Sequence, residues 1–245
     1  MKRLLLLSTL ISFLSAQSLF ALTGREIIDK SENLAKPKSA KSKVSMKITK
    51  GGTVMDKEFL LFQKTIGGDD KVLITFTKPT QIKVLTHTHK NGEDDQWLRL
   101  SSGKVKRLVG GDKGGSFVQS HLTYEDLESR DIDNYDYKNL GDASVSGQAC
   151  YMVEAIKKSG TKTYDKNILY VRKNDYVIVK VDFFQKGKLF KYMENKDIKT
   201  IDGIVTPMKI IVTMADQSGK TEMNVEKVIY NTDIEDSKFS KEALR

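Results

Sequence analysis

The feature that most constrains this chain is a period of two in its hydrophobicity, which starts near residue 41 and runs almost to the end. "KVSMKITK" puts Val44, Met46 and Ile48 on one face and Lys43, Ser45, Lys47 and Thr49 on the other. "YVIVKVDFF" groups Val177, Val179, Val181 and Phe183, "PMKIIVTMA" groups Met208, Ile210, Val212 and Met214, and "MNVEKVIY" groups Met223, Val225 and Ile229. Such alternation predicts strands with one buried and one solvated face. Short turn signals separate them: Gly51-Gly52, Gly67-Gly68, Asn91-Gly92, Lys186-Gly187, Asp202-Gly203 and Ser218-Gly219. Strands joined this tightly must be antiparallel neighbours, because a parallel crossover needs far more chain. The expectation is a mostly antiparallel α+β fold of about ten or eleven strands, and open sheets of that size curl.

A curled sheet has a concave face that something must cover, and the sequence offers few helices for it. Thr23-Gly24-Arg25-Glu26 reads as a capping box, with Leu22 and Ile27 placed as a hydrophobic staple. Ile27, Ile28 and Leu34 form a narrow apolar stripe before Pro37. "SKFSKEALR" at the tail is short and amphipathic through Phe239, Ala243 and Leu244. Two or three small helices leave surplus apolar wall, so the expectation is an unfilled interior able to admit an apolar ligand. Met46, Met208, Met214 and Met223 suit such a cavity because unbranched thioethers repack around varied shapes. The alternative is that these are ordinary core residues.

"GGDKGGSFVQSHLTYEDLE" sits between the alternating stretches. Four glycines within six residues precede Phe117, Val118, Leu122, Tyr124 and Leu127. Glycine at that density makes a loose tether.

The amino terminus joins a basic Met1-Lys2-Arg3 to an apolar run over residues 4–20, with small residues at Ala16, Ser18 and Ala21. That is a secretory signal pattern and is too short for a spanning helix. We expect cleavage after Ala21, export to the periplasm and a single domain over 22–245. Without Lys2 and Arg3 the 41 basic residues become 39 against 32 acidic ones, a net charge of +7. The excess is diffuse and carries no nucleic-acid signature. Lys36, Lys38, Lys41, Lys43, Lys47 and Lys50 form an acid-free run, which reads first as the solvated face of an early strand and second as a docking patch for an anionic surface. The lone Cys150 has no internal partner and reads as a buried thiol.

Motifs for catalysis are weak. The glycine stretch lacks the Gly-Lys-Ser/Thr ending of a phosphate loop, and there is no Gly-x-Ser-x-Gly elbow. His87 and His89 stand at strand spacing, with His121 or Asp94 as conceivable further ligands, but they share a face with Lys83 and read as surface residues rather than a metal site. Glu93, Asp94 and Asp95, and the acids of "YEDLE", read as solvated turn and helix-start residues. No cofactor and no catalytic residue is expected.

Two stretches, "DDQWLRLSSGKVKRL" and "GGSFVQSHLTYEDLE", resemble the LolA-like outer-membrane lipoprotein-sorting proteins, periplasmic carriers of lipids and lipoproteins. Trp97, Lys106, Arg107, Ser116, Phe117, Ser120, Tyr124, Glu125 and Asp126 match. The chain departs at Leu98-Arg99-Leu100, at Val118-Gln119, where Met-Gly is common, and at His121, where Asp is common. The resemblance covers nearly all of the chain after residue 21. It implies an unclosed (half) β-barrel with helices and a lid loop on its concave side, the lid hinged over residues 110–115. It also implies acyl-chain binding by Trp97, Phe117, Leu122 and Tyr124 together with the strand positions Met46, Ile48, Val179, Val181, Phe183, Met208, Ile210, Val212, Met214 and Met223. The implied partners are lipid or lipoprotein acyl chains, an inner-membrane transporter and an outer-membrane acceptor, with no nucleic acid and a monomeric carrier. An accessory of a membrane exporter, or an envelope interaction module without cargo, are the alternatives.

Overall fold

The computed structural model describes residues 21–89, 93–128, 131–160 and 162–245. The expected signal segment, apart from Ala21, and the Asn91-Gly92 turn lie outside the described residues.

The chain opens with α1 (Gly24–Glu32). Its capping box is formed: Thr23 N–H donates to Glu26 Oε2 at 2.7 Å, and Glu26 N–H donates back to Thr23 Oγ1 at 3.2 Å. Leu22 packs in the same cluster as Ile27, as a staple requires. Gly24 is needed for close approach, because a Cβ there would lie 2.8 Å from the Lys138 backbone.

Thirteen strands follow: β1 (Ser39–Lys50), β2 (Thr53–Ile66), β3 (Asp69–Lys78), β4 (Lys83–His87), β5 (Asp95–Arg99), β6 (Val105–Leu108), β7 (Tyr135–Val145), β8 (Gln148–Lys157), β9 (Lys166–Arg172), β10 (Ile178–Gln185), β11 (Lys188–Ile201), β12 (Ile204–Met214) and β13 (Gly219–Tyr230). They form one antiparallel sheet in the order β6-β5-β4-β3-β2-β1-β13-β12-β11-β10-β9-β8-β7. The count exceeds the ten or eleven expected because strands such as β6 and β7 are short or mostly exposed and show little apolar alternation. Both are edge strands.

This order makes two meanders that meet where β1 pairs with β13. The free edges are β6 and β7, and the chain between them, residues 109–134, must pass from one edge of the sheet to the other. Its described residues, 109–128 and 131–134, lie across the concave face. Phe117 packs on Phe76 of β3, while eight residues later Glu125 pairs with Lys157 of β8. Eight strand spacings separate β3 from β8, or about 38 Å along a flat sheet. Eight residues reach at most about 29 Å when fully extended, and these are coiled into turns, so a sheet curled around them brings both contacts within side-chain reach. The result is an unclosed barrel with α1 and residues 109–128 and 131–134 on its inner side.

Two inner clusters form the core. One joins the lid residues Phe117, Val118, Leu122 and Tyr124 to Met46, Ile48, Phe59, Ile74, Phe76 and Val212. The other joins Ile27 and Ile28 of α1 to Val153, Leu169, Val171, Val181 and Phe183. The outer face carries the carboxy-terminal tail, whose two short 3-10 turns (Asp236–Phe239 and Lys241–Leu244) bury Phe239 and Leu244 against Phe62, Leu73, Leu85 and Trp97.

Two strand-face expectations need correction. In β10 the register slips between Ile178 and Lys180, which face Val171 and Tyr170, leaving Val179 as the extra residue of a β-bulge. Ile178, Val181 and Phe183 therefore face α1, whereas Val177 and Val179 pack with Cys150 on the opposite side. In β5, Leu98 belongs to the lid cluster and Trp97 points outward, with the His87 ring edge-on at 5.0 Å and Lys241 over it at 4.5 Å.

Candidate functional site

The lid segment enters as a 3-10 turn, Gly110–Gly114. This is no loose tether: Lys113, 2% exposed, donates from Nζ to Asp94 O at 2.8 Å and pairs with Glu128 Oε1 at 2.6 Å. A bridge between Ser116 and Thr123 then makes a miniature hairpin, closed by Phe117 N–H to Leu122 O at 2.8 Å and Ser120 N–H to Phe117 O at 2.8 Å. Its apolar side chains reach into the barrel. The Phe117 ring lies 5.6 Å from Phe76 and 5.8 Å from Tyr124, and Phe76 continues the row to Phe59 at 5.1 Å.

At the hairpin tip Val118 and Gln119 both take positive φ, 44° and 70°, as a type I′ turn requires. A β-branched residue there is a steric outlier, and Val118 is held in it by burial among the lid cluster. Gln119 is exposed, so it can be changed without disturbing packing. Gln119→Gly is expected to stabilise the closed lid by about 0.5–1 kcal/mol, since glycine adopts positive φ without a Cβ clash. Slower amide exchange at Phe117 and Ser120 would register this, and unchanged or faster exchange would contradict the strain.

The far end of the lid is charged. Asp126 Oδ2 accepts from Lys191 Nζ of β11 at 2.5 Å and from Thr123 N–H at 2.7 Å, and Asp126 Oδ1 accepts from Tyr164 Oη at 2.8 Å. The Lys191 and Asp126 side chains are 1% and 6% exposed. Lys191 also donates to His121 O at 3.0 Å and lies 5.2 and 5.1 Å from the Tyr164 and Phe183 rings. Glu125 pairs with Lys157 at 3.3 Å. The lid acids expected to be solvated are thus buried and matched by Lys113, Lys157 and Lys191. Neither the spacing of those lysines nor their strand positions mark them in the sequence, because each arrives from a different element.

Burial lowers the Lys191 pKa, with the attraction of Asp126 opposing. Burial also raises Glu128, against the pull of Lys113 and Lys157. It raises the Tyr164 hydroxyl too, and the Asp126 charge adds to the effect. His121, set in the lid with Nδ1 2.9 Å from Thr221 Oγ1, is lowered by burial and then by Lys50 and Lys191.

The site residues inferred from sequence fall into distinct places. Met46, Ile48, Phe117, Leu122, Tyr124, Val212 and Met223 share the lid cluster, and Val181 and Phe183 lie beside it against α1. Ile210 faces Met223 and Met214 faces Lys191 across the ladder, so with Met208, two residues along, they continue the inner wall, half-buried. Trp97 and Val179 stand on the other face. The unfilled apolar interior expected from sequence is occupied here by the lid's own side chains. A cavity of about 430 Å³ does lie beside the acidic end of the lid, but its lining mixes the charged Asp94, Glu125, Glu128 and Lys157 with Tyr164, Phe183 and Met193. His87 Nε2 is 2.7 Å from Phe239 O and His89 Nε2 is 3.0 Å from Asp95 Oδ2. Among the described residues no cluster of three or more His, Cys, Asp or Glu could hold a metal ion.

An unclosed antiparallel barrel whose mouth is crossed, edge to edge, by an apolar plug defines the class of fold. A family model described as "Uncharacterized protein" matches residues 68–245. A DUF1329 family protein from Desulfovibrio piger superposes with a TM-score of 0.86 at 27% identity, over 91% of this chain and 98% of that one. A putative outer membrane lipoprotein-sorting protein domain from Vibrio parahaemolyticus gives 0.85 at 28% identity, over 90% and 97%. A LolA superfamily protein from Nitrosomonas europaea shares the fold, with a TM-score of 0.71 at 18% identity over 91% and 100%. No curated protein matches the sequence. The chain belongs to the family that the model matching residues 68–245 defines, and its fold is that of the LolA superfamily structure.

Proposed function

We propose that this protein is a non-enzymatic carrier of the bacterial envelope that holds lipid or lipoprotein acyl chains between the inner wall of the barrel and its lid. The observation that carries this reading is the lid itself. Phe117, Val118, Leu122 and Tyr124 form an apolar plug on a separately hydrogen-bonded hairpin, bedded on an apolar wall. An acyl chain offers the same contacts, at about 0.8 kcal/mol per buried methylene, so chain and lid compete for one surface. The half-buried Met193, Met223, Leu61 and Val225 at the margin of the plug extend that surface. The sorting role named for the Vibrio relative supports the same assignment.

On this reading residues 1–21 direct export and are removed, and 22–245 act as one monomeric domain in the periplasm. The domain takes cargo at the inner membrane and yields it to an acceptor at the outer membrane. Mass spectrometry of an organic extract from natively purified protein tests the proposal. Stoichiometric acyl lipid or lipopeptide is the expected result. A lipid-free extract, together with no displacement of a fluorescent fatty acid by detergents or lipids, would leave a cargo-free envelope module as the better reading.

A further inference from the structure

Three lysines are buried among the described residues: Lys57, Lys113 and Lys191. Two of them face carboxylates, Lys113 with Glu128 and Lys191 with Asp126. Lys57 does not. Among the described residues it makes no ion pair, hydrogen bond or ring contact, although it is 8% exposed. Burial alone lowers its pKa, with no carboxylate opposing.

Its position is specific. Lys57 stands on β2 between Met55 and Phe59, both of which pack in the lid cluster. Register places it opposite Met46, with Met223 and Ile210 next in the same row on β13 and β12. Directly paired residues share a face of the sheet, so Lys57 shares the inner wall with the methionines. Its stem is buried on that wall, while its ammonium is not among the fully buried unpartnered atoms of the described residues, so the charge stands open to a counter-ion. An oxyanion meeting this partly desolvated ammonium beside apolar side chains makes a strong charge-assisted hydrogen bond.

We propose that Lys57 receives the anionic head, a carboxylate or phosphate, of an amphiphile whose chain lies along Met46, Met223 and Ile210. The inference rests on the proposed acyl carriage and adds the charge class of the cargo. A zwitterionic or neutral head leaves the ammonium without a net counter-charge, and a cationic one is repelled.

Isothermal titration of the full mature chain tests this with dodecyl phosphate, dodecanoate, dodecyl maltoside and inorganic phosphate, each below its micelle concentration, on wild type, Lys57→Met and Lys57→Arg. Lys57→Met is expected to weaken dodecyl phosphate and dodecanoate by about tenfold or more, the scale of one hydrogen bond to a charged group, and to leave dodecyl maltoside unchanged. Lys57→Arg is expected to retain the anionic ligands. Urea unfolding of Lys57→Met is expected at an unchanged or higher midpoint, so that lost affinity cannot be lost fold. If Lys57→Met binds every chain-bearing probe as wild type does, the role of Lys57 is overturned while acyl carriage stands. If no chain-bearing probe binds wild type, carriage itself fails and takes this inference with it. Competition by inorganic phosphate at the concentration of dodecyl phosphate would point to a free anion as the ligand and would also overturn the proposal.

Discussion

Asp126→Ala is expected to weaken closure of the lid by about 3–5 kcal/mol, the usual cost of removing one member of a buried ion pair. The carboxylate is the hub of the latch. Its loss strips Lys191 of its counter-ion, Thr123 N–H of its acceptor and Tyr164 Oη of its stronger partner. What remains for the Lys191 ammonium is the His121 carbonyl and two aromatic faces, too little for a cation that is 1% exposed. Amide exchange at Phe117 and Leu122 should accelerate by roughly a hundredfold or more, since each 1.4 kcal/mol is a factor of ten. The double variant Asp126→Leu, Lys191→Met should recover much of the loss, because an apolar pair removes the stranded charge as well as the bond. An effect of Asp126→Ala below about 1 kcal/mol, the range of exposed pairs, would mean that the pair is solvated and is no latch.

Phe117→Ala is the complementary experiment at the apolar end of the lid. The ring is 1% exposed and sits between Phe76 and Tyr124, so truncation should cost about 3–5 kcal/mol. The direction of its effect on ligand distinguishes a plug from a structural brace. If lid and acyl chain compete for the wall, Phe117→Ala lowers stability yet tightens binding of a fluorescent fatty acid, because less lid must be displaced. If Phe117 only braces the barrel, stability and binding fall together. Urea unfolding and fatty-acid titration on the same preparation read both quantities.

The inner wall was legible in the sequence wherever local periodicity held. Val44, Met46 and Ile48 face inward in register with β13, as "KVSMKITK" implies, and the capping box at Thr23 forms as written. Reading failed at Val179, where one inserted residue shifts the side-chain phase and nothing in "YVIVKVDFF" marks the insertion. It failed again at Trp97, whose outward position depends on a tail more than 130 residues later that folds back to cover it. The acids of "YEDLE" were legible only as polar. Their burial depends on lysines supplied by β8, β11 and the start of the lid.

The amino-acid sequence by itself determined an antiparallel meander with one apolar face, a capped opening helix and a greasy segment between the two halves, because a period of two, turn residues and caps act over a few residues. Tertiary structure alone decided that β1 would pair with β13, so that the greasy segment had to bridge the two free edges and fill the wall it faces. It also decided which charged residues went to the inner wall, leaving Lys113 and Lys191 matched and Lys57 without a partner among the described residues. Burial and pairing depend on chain segments far apart in sequence, and no local pattern encodes where those segments meet.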